Sequence, residues 1–136
     1  MEYWLVKADP ETDYSIDDLK RDKHTVWDGV HNFAAIGHIK RMNPGDFVYI
    51  YHSQKAKSIV GMAEVSGNPF ENHDGPRPSW AVELTFVKKT RPVTLQDIKN
   101  EPICADWQLV RNSRLSVMPV PRSVNTWLEQ QTAESD

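Results

Sequence analysis

The residues of this chain whose types and neighbours suit chemistry fall into three short phrases. The first is Trp27-Asp28-Gly29-Val30-His31-Asn32. An Asp-Gly step redirects the backbone sharply, so residues 27–29 are expected to form a turn that projects the Trp27 indole at a pocket rim, with Asn32 opening the next helix. An indole presents a broad π face to a planar ring, and a carboxamide presents a donor and an acceptor to a base edge. By residue type alone Trp27 reads first as a core side chain, because large aromatics are usually buried for packing. The second phrase, Tyr51-His52-Ser53, closes an apolar strand on three hydrogen-bonding side chains. A Ser-His pair raises hydrolase chemistry, but adjacent strand residues point to opposite faces, so His52 is poorly placed to activate Ser53 and a binding role is preferred. The third, Arg111-Asn112-Ser113-Arg114-Leu115-Ser116, sets two guanidinium groups beside hydroxyls and amides, a composition that suits phosphate contact and equally suits ordinary salt bridges.

What is missing narrows the function. No Gly-x-Gly-x-x-Gly, Walker loop, Gly-x-Ser-x-Gly or His-Glu-x-x-His occurs, so no catalytic residue and no cofactor is expected, and the chain does not read as an enzyme. His24, His31 and His38 recur every seven residues, yet no neighbouring cysteine or acid completes a closed shell, so no metal is expected and the histidines are read as facing solvent. Cys104 is the single cysteine, which excludes an intramolecular disulfide and points to a reducing compartment: the cytoplasm, or the nucleus in a eukaryotic cell. No segment approaches the length of a membrane span. A formal charge of −3 argues against coating nucleic acid by electrostatics alone. The charge is polarised, however: seven acids lie within residues 9–28, while residues 88–122 carry seven basic residues against Asp97, Glu101 and Asp106. Such a surface can seat a short run of phosphates.

The elements that must position these groups are short. At 136 residues the chain has room for one domain spanning 1–136. Tyr3-Trp4-Leu5-Val6 reads as a buried strand ended by Asp9-Pro10, and Ser15 with Asp18 reads as a capping arrangement for a helix running to about Arg21. Residues 32–42 place Phe33, Ile36, Ile39 and Met42 at helical spacing, ended by Asn43-Pro44-Gly45-Asp46. Two β-rich runs, 47–51 and 59–65, suggest a hairpin, with Gly61 inside a strand where a missing side chain permits close backbone approach or a bend. Residues 68–78 read as an exposed loop, 80–87 as a strand, 94–100 as a capped helix, 116–120 as a strand broken by Pro119, and 123–131 as a final helix. Without regular βαβ alternation, the pattern is α+β, a curved and mostly antiparallel sheet closing toward a barrel, with short helices around it.

Five phrases together resemble the EVE domain family: Tyr3-Trp4-Leu5-Val6-Lys7, Trp27 through Asn32, Gly45-Asp46 leading to Tyr51-His52-Ser53, 59–65, and Arg114-Leu115-Ser116-Val117-Met118-Pro119-Val120. They stand in family order over nearly the whole chain. The resemblance implies a PUA-like β-barrel, related to the YTH readers of methylated adenine, and a non-catalytic reader that accommodates a flipped, modified base of DNA or RNA in an aromatic pocket. It carries over as ligand-binding positions Lys7, Trp27, Asp28, Gly29, Val30, Asn32, Tyr51, His52, Ser53, Arg114, Leu115 and Ser116. A monomer is expected, and a free-nucleotide or small-molecule sensor using the same pocket is the alternative. The chain departs from the family at Ala8, where a serine is usual, and at His31, where an arginine is usual; the changes remove a hydroxyl and a permanent cation.

Overall fold

The computed structural model describes residues 1–73, 76–77 and 79–133. Among these, the chain runs β1 (Tyr3–Ala8), α1 (Ile16–Asp22), β2 (His24–Val30), α2 (Phe33–Lys40), β3 (Phe47–His52), β4 (Ser58–Val65), β5 (Phe70–Asn72), β6 (Ser79–Thr94), α3 (Leu95–Lys99), α4 (Gln108–Arg111), β7 (Val117–Pro119) and α5 (Arg122–Thr132), with a 3-10 turn at Pro102–Cys104. The sheet order is β2-β6-β4-β3-β1-β7, with β5 on β6. The pairings are antiparallel except β1 with β3, which run parallel. Helix α2 packs against both β6 and β7, elements near opposite ends of that order, so it bridges a sheet that curls toward itself. The result is a mixed sheet curled into a half-barrel with five short helices, the PUA-like α+β fold expected from the sequence.

Local chemistry explains most boundaries. Ser15 caps α1 reciprocally: its hydroxyl accepts from Asp18 N–H and its own N–H donates to the Asp18 carboxylate, both at 3.0 Å. Thr94 and Asp97 repeat the device at α3. The 47–51 and 59–65 runs do form an antiparallel pair. Where α2 ends, the buried Asp46 carboxylate gathers N–H groups from Glu2, Asn43 and the Trp4 indole at 2.9–3.0 Å, fixing the start of β1 against the turn that leads into β3. Burial by itself would raise the Asp46 pKa; the hydrogen bonds outweigh it and hold the carboxyl below the usual range.

Four sequence expectations are corrected. Residues 27–29 are not a turn: they lie within β2, where the register with β6 shifts between Trp27 and Val30. Gly29 occupies the positive-φ position, φ +74°, that such a bulge requires. Phe33 does not join the apolar stripe of Ile36, Ile39 and Met42; at the first position of α2 it is 82% exposed. The 68–78 loop contains β5, and its residues 74, 75 and 78 lie outside the described residues. The strand expected over 80–87 extends through Pro92 to Thr94, its register against β4 broken at two irregularities.

Gly61 sits in β4, as expected, and the reason is visible. A Cβ there would fall within 2.6 Å of Ile16 Cγ1 and 3.1 Å of the Lys88 carbonyl oxygen, so the bare backbone is what lets α1 lie on the sheet. Ile16 and Leu19, the two apolar residues that α1 buries, are nearly inaccessible. Gly61→Ala is therefore expected to destabilise the protein by about 1–3 kcal/mol in chemical denaturation. Adding Ile16→Ala should cost less in the Gly61→Ala background than in the native chain, because the two share one space; additive losses would show that the contact does not govern α1 docking.

Candidate functional site

The bulge in β2 alternates the strand's exposure: Trp27 turns inward at 8% exposure while Val26 and Asp28 remain at the surface. Opposite Trp27 stands Tyr14, the residue before the Ser15 cap. The two rings meet edge to face, 6.2 Å between centroids and 84° between planes. Tyr14 is held from its other end by a 2.7 Å hydrogen bond from its hydroxyl to the Asp22 carboxylate. Between the loop leading into α1 and β2 lies a cavity of about 250 Å³, lined by Asp13, Tyr14, Thr25, Val26, Trp27 and Asp28. Its lining residues thus include a tyrosine, a buried tryptophan, two aspartates, a threonine and a half-exposed valine. Sequence reasoning named Trp27 and Asp28 but missed Asp13, Tyr14, Thr25 and Val26. The available signal was an aromatic in a polar stretch just before a capping box, which pins the Tyr14 backbone to a helix start.

The other expected site residues lie elsewhere or already have partners. Asn32 is the N-cap of α2, its side-chain oxygen accepting from Ala35 N–H at 3.1 Å. Val30 is buried and pairs with Trp80; Gly29 forms the bulge; His31 and Arg114 are exposed. Lys7, Tyr51, His52, Ser53, Leu115 and Ser116 gather at the far end of β1. Parallel register sets Lys7 beside Tyr51 and Ala8 beside His52. The Lys7 ammonium donates to the Ser113 carbonyl at 3.0 Å and lies 5.8 Å from the Tyr51 ring centroid, and burial lowers its pKa. Lys7 N–H donates to the Ser116 carbonyl, while Ser53 gives both its N–H and its hydroxyl to the Ala8 carbonyl. Leu115 is a core residue. None of these six lines the cavity beside Trp27, so the structure presents two groups: that cavity and a polar clasp at the end of β1.

His52 links them. Its Nε2 accepts from the Ile16 N–H at 3.0 Å, which ties the end of β3 to the first turn of α1, two residues beyond Tyr14. Accepting at Nε2 requires that nitrogen unprotonated. Burial lowers the His52 pKa, the Asp17 carboxylate opposes the shift, Lys89 adds to it, and Asp18 opposes it, with a net fall. The fold therefore favours the neutral ring. Its stabilising contribution is complete above the unfolded value of about 6.5 and is lost as pH falls through the lower folded value. His38 shifts the same way, through burial and then Arg41, so the contribution of His52 must be isolated by substitution. His52→Gln keeps an acceptor without a titrating ring. Its melting temperature should fall less than that of the native protein between pH 7 and about pH 5, a window spanning the ordinary histidine value; parallel curves would show that the bond to Ile16 does not couple to pH.

Residues 2–131 match the model of the EVE domain family. The chain is 35% identical over 124 residues to thymocyte nuclear protein 1 of Mus musculus, covering 71% of this chain and 55% of that protein, so it spans little more than half the relative's length. Of the two expected locations, cytoplasm or eukaryotic nucleus, the relatives' names agree with the second and give no support to the first. A hypothetical protein from Leishmania major shares the fold with a TM-score of 0.89 at 30% identity, over 97% of this chain and 94% of that one. The human THYN1 protein, solved in complex with 5-methylcytosine-containing DNA, shares the fold with a TM-score of 0.88 at 23% identity over the full length of both chains. By the family match over nearly its whole length, this chain belongs to the EVE domain family.

Proposed function

We propose that this domain binds DNA carrying a modified base and seats that base, flipped from its stack, in the corner between Tyr14 and Trp27. The observation that supports the reading is the cavity itself, whose lining residues include Tyr14 and Trp27 together with Asp13 and Asp28. Its volume of about 250 Å³ lies just under the roughly 300 Å³ floor of small-ligand pockets, a size that suits one base better than a dinucleotide. Carboxylates accept hydrogen bonds, so the cavity favours a base with an exocyclic amino edge, cytosine or adenine in type, over a purely carbonyl edge. The related human THYN1 protein was solved with 5-methylcytosine DNA, which supports a cytosine derivative. Binding then divides into stacking in the cavity and phosphate contacts outside it, with Arg114 assigned to the phosphates. No covalent step is involved.

One observation favours the alternative of a free-base or nucleoside sensor: two carboxylates at the cavity disfavour a phosphate entering with the base. Salt dependence separates the readings, since only an oligonucleotide reader releases counterions on binding. With a fluorescent 5-methylcytosine oligonucleotide, Trp27→Ala or Tyr14→Ala should cost ~1–3 kcal/mol and flatten the preference over unmodified cytosine. Arg114→Ala should weaken both oligonucleotides alike and reduce the salt slope by about one unit on a duplex. Unfolding must first be shown unchanged, and Tyr14→Ala, at a half-buried position, is the safer of the two cavity variants. A salt-independent affinity would favour the sensor, and unchanged discrimination in both cavity variants would remove the cavity from the function.

A further inference from the structure

We infer that Phe33 is a wedge that enters the base stack of a duplex and fills the gap left when a base moves into the Trp27 cavity; this rests on the base-binding reading above. Phe33 is 82% exposed, nearly twice the 43% of Phe70, the other exposed aromatic among the described residues. It occupies the first position of α2, directly after the Asn32 cap, so a hydrogen-bonded helix start holds its backbone. Helical spacing aligns it with Ile36 and Ile39, yet only those two turn into the core, which leaves a rigidly mounted apolar ring in solvent. Phe33 lies five residues along the chain from Asp28, a cavity-lining residue, with the Gly29 bulge and the Val30–Trp80 pairing between them.

Charge decides which partner fits. The chain is acidic overall, but residues 29–45 contain His31, His38, Lys40 and Arg41 and not one aspartate or glutamate. Exposed Lys40 ends the helix that Phe33 begins, and exposed Arg41 follows as its C-cap. An apolar ring on an acid-free, cationic element suits a polyanion with an apolar interior, which describes a base-paired duplex. Proteins that kink or open a duplex insert apolar side chains between base steps for this purpose, offsetting the cost of unstacking. A single strand has no closed stack and needs no such filling, since an unpaired base is the least costly to extrude.

That asymmetry supplies the test. Phe33→Ala and Phe33→Leu are compared with the native chain on a 5-methylcytosine duplex and on the same methylated strand alone, with 2-aminopurine next to the methylated base. At so exposed a position both variants should unfold like the native protein. Phe33→Ala should weaken duplex binding roughly tenfold, about the value of one wedge contact, and leave single-strand binding within about twofold. Phe33→Leu should recover most of the loss, and the 2-aminopurine signal of local unstacking should persist with Leu and disappear with Ala. Equal losses on duplex and single strand would make Phe33 a general contact and overturn the wedge, as would unchanged duplex affinity, which would leave the ring to a protein partner. Tyr14→Ala distinguishes the two levels of failure: if it still weakens single-strand binding while Phe33→Ala changes nothing, the cavity stands and only the wedge falls. If native binding is indifferent to Tyr14 on both probes, the cavity reading falls and the wedge with it.

Discussion

The close approach of α1 to the sheet at Gly61 is the constraint on which the candidate site depends. A side chain at that position would occupy space held by Ile16 and crowd the Lys88 carbonyl, so the helix rests where it does because one strand residue lacks a Cβ. Burying Ile16 and Leu19 there is worth about 1.5–3 kcal/mol each, enough to hold a seven-residue helix that would not persist alone. The bond from Ile16 N–H to His52 adds direction to that apolar contact, because it fixes the first turn of the helix and with it the Ser15 cap. Tyr14 follows from these contacts. Its ring reaches Trp27 only because the residue after it is a cap and the residue after that is pinned to the sheet. The cavity wall is therefore a consequence of packing some distance from the cavity.

A second layer of order comes from groups that never approach the cavity. Asp46 holds the beginning of β1, and the clasp of Lys7, Ser53, Ser113 and Ser116 holds its end, so the parallel β1–β3 pair is secured at both ends. Parallel neighbours cannot be joined by a tight turn, which leaves their ends to be fixed by side chains and loop carbonyls. Several residues that the family resemblance carries over as ligand-binding have this structural work in the described molecule. A phosphate contact at Lys7 would compete with its bond to the Ser113 carbonyl. The cavity side and the α2 side also differ in charge, carboxylates lining the former and the latter free of acids in sequence, a division that suits the proposed split between a base edge and a phosphate backbone.

Much of this was legible in the chain, and the parts that were not share a cause. The caps at Ser15 and Thr94 were readable because donor and acceptor lie three residues apart. The strand of Gly61 and the hairpin around it were readable because alternation and turn residues are local signals. The bulge at Trp27–Val30 was hidden: whether Asp28-Gly29 makes a turn or a bulge depends on the β6 partner, which lies some fifty residues later in sequence. Tyr14 was hidden because the docking of α1 brings it to Trp27. Phe33 misled because periodicity reports which helix face is apolar but not whether the first turn extends past the sheet that would cover it. Trp27 and Asp28, two residues that line the cavity, are thus named by local phrases in the chain, whereas Asp13 and Tyr14 on the opposite wall are not.

A modified base seated in the corner that Tyr14 and Trp27 form would be reported by the indole N–H resonances of the five tryptophans in one titration. Trp4 donates to the buried Asp46 carboxylate and Trp107 to the Pro119 carbonyl, so both report on the fold and not on the cavity. When a 5-methylcytosine oligonucleotide is added to the native protein, the Trp27 indole signal should shift in proportion to binding while those of Trp4 and Trp107 stay in place. Saturable binding with an unmoved Trp27 signal would contradict the account and place the ligand elsewhere on the domain.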